Sequence, residues 1–131
     1  MIEERYCSKE VAKLLKEKGF DEPCQHFYKF DSNEIYRGTV FTNTQIGDKF
    51  YIAPTHQMAC DWLREVHNIF IVVEPHMYDY INEKNSSYVI SLWQGDNYYE
   101  NITSKDYPTY EEAVEASLKY SLTELMKGDE R

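Results

Sequence analysis

Apolar residues recur along this chain at two periods, and the switches between them mark out the elements. Between Ser8 and Gly19, Val11, Leu14 and Leu15 fall on one stripe while Lys9, Lys13 and Lys16 lie off it. This predicts an amphipathic helix capped by Ser8 and stopped by Gly19, with Phe20 closing over the stripe. After Pro23 the pattern turns to aromatic and β-branched runs at residues 25–30 and 34–42, separated by the turn formers Asp31, Ser32 and Asn33. That is the pattern of a hairpin. A third strand is expected at residues 49–53, ended by Pro54.

Helical spacing returns from His56 to His67, where Ala59, Trp62, Leu63 and Val66 define an apolar face behind the cap Thr55. Asn68 is suited to stop this helix. The run Ile69-Phe70-Ile71-Val72-Val73 is continuously apolar, which suits a strand in the centre of a sheet. The preceding strand, this helix and this strand would together form a right-handed parallel crossover. Further on, residues 88–94 read as a strand, Gly95-Asp96-Asn97 as a turn and residues 98–102 as a short edge strand. Residues 75–87 are the least regular and are expected to form a loop. Thr109 and Glu112 stand at capping-box spacing and open a last helix over residues 110–127, ended by Gly128. Its inner face would carry Tyr110, Ala113, Val114, Ser117, Leu118, Ser121 and Leu125.

The elements add up to an α+β fold in a single domain over residues 1–131, with a twisted, mainly antiparallel sheet of about five strands and three helices mostly on one face. With 131 residues, 42% hydrophobic and 28% charged, the chain is long enough to bury one core without staples. No repeat or linker divides it. No apolar run reaches the length of a membrane span, and the opening Met1-Ile2-Glu3-Glu4-Arg5 is too acidic to begin a secretory signal, so a cytoplasmic protein is expected.

Charge narrows the partners. The first 30 residues carry six basic and six acidic side chains, so the whole formal charge of −9 falls on residues 31–131. Such a chain is poorly suited to nucleic-acid backbones or anionic membranes. Imitation of DNA by spaced carboxylates between Asp96 and Glu115 is a further reading of the same acidity.

Chemical motifs are sparse. Phosphate-binding glycine loops and the nucleophile elbow do not occur. Cys7, Cys24 and Cys60 are widely spaced without a C-x-x-C pair, so no disulfide framework or zinc ribbon is indicated. His56 and Cys60 lie one turn apart and could share a metal, but His67 sits about 16 Å from His56 along the helix. Further ligands would have to come from Cys24, His26 or His76, with no spacing to select them. No metal site, cofactor or catalytic residue is therefore assigned. The aromatic content of 15% is more distinctive, and Trp93, Asp96, Tyr98 and Tyr99 are the candidate binding residues.

Three stretches also carry a resemblance. Cys7-Ser8-x-Glu10-x-Ala12 with Leu15 and Gly19-Phe20, then Ala53-Pro54-Thr55 with Ala59 and Trp62-Leu63-Arg64, and Thr109-x-Glu111-Glu112-Ala113 with Ala116 resemble small proteins encoded by phages and prophages of gut anaerobes. The resemblance implies a genomic setting and no mechanism. The first helix taken alone is similar to the opening of a winged-helix or excisionase-type DNA-binding domain, although no basic recognition helix follows. The resulting expectation is a noncatalytic accessory protein that binds a host or phage protein. A polar cleft containing His56, Cys60 or paired carboxylates would instead point to an enzyme or ligand-binding site assembled from distant residues.

Overall fold

The computed structural model describes residues 3–75, 87–100 and 106–126. Helix α1 (Lys9–Glu17) starts where expected, with the Ser8 side chain accepting the Val11 N–H at 3.2 Å. It ends at Gly19, whose φ of 93° is one that other residues rarely adopt. Strands β1 (Cys24–Lys29) and β2 (Ile35–Phe41) form the hairpin, and β3 (Phe50–Ile52) pairs antiparallel with the other edge of β1. A one-turn helix α2 (Asn43–Ile46) intervenes, built on a full capping box between Thr42 and Gln45. Helix α3 (His56–His67) is capped by Thr55 and closed by Asn68 in the left-handed conformation. Strands β4 (Ile69–Pro75), β5 (Tyr88–Gln94) and β6 (Asn97–Glu100) form a second antiparallel sheet. Helix α4 (Tyr110–Tyr120) follows, its Thr109 cap accepting the Glu112 N–H.

The architecture is α+β, but the single five-stranded sheet is replaced by two three-stranded sheets ordered β2-β1-β3 and β4-β5-β6, and the helices number four among the described residues. The parallel crossover does not form: β3 pairs with β1 and β4 with β5, in different sheets. Nor is β4 central. Its continuous apolar run has another cause: Ile69 faces the core, while Phe70 on the opposite side is exposed. The helices do not share one sheet face either. Helix α1 packs on β3, whereas α3 packs on β4 and α4 on β4 and β5.

One core joins the layers. It draws Leu15 and Phe20 from the α1 region, Ile52 from β3, Trp62 and Leu63 from α3, and Leu118 from α4. Phe20 meets Trp62 edge to face with centroids 5.4 Å apart. Full burial of each such side chain is worth about 1.5–3 kcal/mol, more than the roughly 1 kcal/mol of any one cap, so packing holds the helices while caps set where they begin.

The last helix departs from its expected course at Ser121. There the α-helical turn widens into a π-helical turn, Ser121–Leu125, so that Leu122 and Met126 are buried and Leu125 is only partly so. The buried hydroxyls of Ser117 and Ser121 bond back to the Ala113 and Ser117 carbonyls at 2.8 Å. Tyr110 and Val66, both expected to face inward, are exposed in the terminal turns of their helices. The loop expected at residues 75–87 lies largely outside the described residues, as do Ile102 of the edge strand and Gly128. After α1, whose opening is similar to that of a DNA-binding domain, the chain leads into the β1–β2 hairpin, and the next helix is a single turn.

Helix α2 has a structural task. The buried Asn43 side chain donates to the Phe20 carbonyl at 2.8 Å and accepts the Ile52 N–H at 3.0 Å, joining the end of α1 to β3. Asn43→Ala strands both partners in the interior and is expected to cost about 2–4 kcal/mol. Thr42→Ala removes the α2 cap and an exposed bond to Asp21, at about 1 kcal/mol. Urea unfolding of the two variants checks that order.

Candidate functional site

The candidate binding residues fall on the β4-β5-β6 sheet, and its register sorts them. Phe70 pairs with Trp93 and Trp93 with Tyr98, which places three aromatic side chains in one row across the sheet. They are 41%, 42% and 46% exposed, respectively. The Trp93 and Tyr98 rings lie 4.7 Å apart at a 38° tilt. Side chains alternate along a strand, so Tyr99 turns to the opposite, helix-covered face beside Leu92 and Ile71, where it is half-buried. Asp96 is exposed in the β5–β6 turn, where Gly95 adopts a φ of 60° and donates its N–H to the Asn68 carbonyl at 3.2 Å. The turn is thereby fixed to the end of α3.

Phe70 belongs to the row but was hidden in the continuous apolar run that suggested a central strand. Beyond the row the same face carries Val72, Ser91 and Glu100, and then Glu74 and Val89. None of the three strands contains Lys or Arg.

A second grouping was not legible in the sequence. The segment before α1 runs against the segment before α3: Cys7 donates its N–H to the Pro54 carbonyl at 2.9 Å, and His56 its N–H to the Arg5 carbonyl at 2.8 Å. Two helices therefore begin side by side. Glu115, midway along α4, reaches both starts, and its Oε2 accepts the Ser8 N–H at 2.9 Å and bonds His56 Nε2 at 2.7 Å. The Cys7 side chain lies beneath them, 0% exposed, with Tyr28 donating its hydroxyl to the Cys7 carbonyl at 2.8 Å. The donor atoms of Cys7, His56 and Glu115 all lie within 4.8 Å of one another. Above them opens a cleft of about 760 Å³, lined by Arg5, Tyr6, Ser8, Glu111 and Glu112 as well as His56 and Glu115.

Electrostatics define what this cluster can do. Burial pushes the Cys7 thiol well above its ordinary range, and the nearby Glu115 carboxylate adds to the effect. Burial likewise pushes Cys24 and Cys60 up to about 11. All three thiols are therefore protonated at neutral pH, which makes a cysteine nucleophile a poor reading of any of them. For Glu115, burial acts to raise the value, but hydrogen bonds from His56 and Ser8 outweigh it and hold the carboxyl below its ordinary range.

The other titratable candidates are engaged elsewhere. His26 stacks near Tyr6 with centroids 4.2 Å apart, His67 packs edge-on to Trp62, and Cys24 Sγ lies 3.5 Å from Met58 Sδ. Cys60 does not join His56 in a cluster, and His76 lies outside the described residues. Among the described residues no helix is long and apolar enough to cross a membrane. Comparison with family models, curated proteins and solved structures finds no match.

The Glu115 tie has a pH signature. Its depressed folded-state value contributes stability that is present above the ordinary carboxyl value of 4.5 and is lost as pH falls through the lower folded value. The stability difference between the parent protein and Glu115→Gln is expected to shrink with acidification across that window. Urea unfolding at a series of pH values checks it, and a pH-independent difference would contradict it.

Proposed function

We propose that the protein is a noncatalytic binding module that docks a basic segment of a partner protein on the outer face of the β4-β5-β6 sheet. The observation that carries this reading is the exposed Phe70–Trp93–Tyr98 row, with Glu74 and Glu100 on its own face and no Lys or Arg in the three strands that form it. Tryptophan and tyrosine supply large rigid contact area, and arginine stacks well on both. The excess of acidic side chains beyond residue 30 would steer such a partner towards the face and repel nucleic acid. A host or phage protein is the partner that the phage-type resemblance suggests.

The docking row can be tested without knowing the partner beforehand. A photo-crosslinking residue at position 98 is expected to capture an Arg- or Lys-rich protein segment in lysate of the native host. Trp93→Ser and Phe70→Ser should each lower that yield about tenfold or more. Each side chain is more than half covered in the folded protein, so unfolding stability should fall by about 1–3 kcal/mol, and the yields are compared on variants that circular dichroism shows to be folded. Crosslinks to a second copy of the chain, to nucleic acid, or with undiminished yield in both variants would contradict the reading.

A second reading, a small-ligand site, is favoured by one feature: the cleft over Cys7, His56 and Glu115 has several charged side chains in its lining and brings residues distant in sequence together.

A further inference from the structure

The Cys7–His56–Glu115 cluster combines three donors of different chemistry, each delivered by a different element. Cys7 and His56 are positioned by the backbone pairing ahead of α1 and α3, and Glu115 by α4. Sulfur, imidazole and carboxylate are together the ligand types of zinc. We propose that Cys7, His56 and Glu115 bind one zinc-class divalent cation, with its remaining coordination position open to the cleft. This inference makes the small-ligand reading specific and is independent of docking at the aromatic row.

The geometry needs only local adjustment. A tetrahedral zinc with bonds of about 2.0–2.3 Å sets its ligand atoms about 3.3–3.7 Å apart. The three donors here lie within 4.8 Å of one another, and the His56 and Glu115 atoms, at 2.7 Å, would part as the cation replaced the proton between them. These are side-chain movements of about 1 Å on fixed helices. The charges also balance, since one thiolate and one carboxylate offset a doubly charged ion beside a neutral imidazole. On binding, the Cys7 thiol proton leaves to solvent and the imidazole proton resides on the nitrogen facing away from the cation.

The surroundings fit an ion that enters from one side. The His56 and Glu115 side chains are 13% and 26% exposed and face the cleft, while Cys7 closes the inner end. The Ser8 N–H bond to Glu115 orients the carboxylate from outside, the kind of support that metal-bound carboxylates depend on. Three protein ligands with one open position is the pattern of a zinc that handles an exchangeable ligand, unlike the closed sets of purely structural sites. Glu111 and Glu112 at the cleft wall outnumber the one cationic side chain there, Arg5, and would attract the cation.

Cobalt is the probe. The full chain, stripped by a chelator and titrated with Co²⁺, should bind one equivalent and develop thiolate-to-cobalt charge-transfer absorption that Zn²⁺ abolishes by competition. Cys7→Ser should remove that absorption, and His56→Ala and Glu115→Gln should each weaken binding about tenfold or more. The double variant Cys24→Ser, Cys60→Ser should keep the absorption, and Trp93→Ser should leave the affinity unchanged. Should Cys7→Ser fail to fold, His56→Ala, Glu115→Gln and the double variant still decide the matter. Absence of charge-transfer absorption in the parent protein, its survival in a folded Cys7→Ser, its loss in the double variant, or unchanged affinity in both His56→Ala and Glu115→Gln would overturn the proposal.

Discussion

The structure turns on one carboxylate. Glu115 lies in the helix that packs on the second sheet, yet its Oε2 bonds the N–H of Ser8, the cap residue of α1, and the first side chain of α3. An N–H at a helix start carries partial positive charge, as does a donating imidazole, so a single anion compensates two termini at once. Because that oxygen is partly buried, the same contacts would be worth less at the surface, where water competes for them. The tie completes what the paired backbone before the two helices begins, and it fixes how α4 sits against α1 and α3.

Consequences for chemistry follow from this placement. Burial first, and the ionised carboxylate beside it second, raise the Cys7 thiol above its ordinary range, which works against a free thiolate there. The same convergence of sulfur, nitrogen and oxygen is what a divalent cation would require. The aromatic row stands on other grounds. It depends on the register of β4, β5 and β6, which the contact between Gly95 and Asn68 ties to the end of α3.

Local signals in the sequence were sound where the physics is local. Ser8, Thr55 and Thr109 cap their helices, and Gly19 and Asn68 end theirs, because capping depends on residues within one turn. Thr42-x-x-Gln45 held the same kind of signal for α2, but a single turn leaves no periodicity to support it. Strand partnership is not local, and so β3 and β4, both apolar and close in sequence, went to different sheets. Tyr98 and Tyr99 are grouped together as candidates from the sequence although period-two alternation sets neighbours on opposite faces, and Phe70 joins the row only through cross-strand register. Cys7, His56 and Glu115 carry no shared motif. Their meeting is a product of the packing of α1, α3 and α4.

A double-mutant cycle on His56→Gln and Glu115→Gln, read by urea unfolding at neutral pH, tests the central tie most directly. The account predicts that the two changes are strongly non-additive, with a coupling of about 1–3 kcal/mol for a partly buried, charge-assisted hydrogen bond. Additive effects would mean that the carboxylate does not join the two helix starts, and would contradict it.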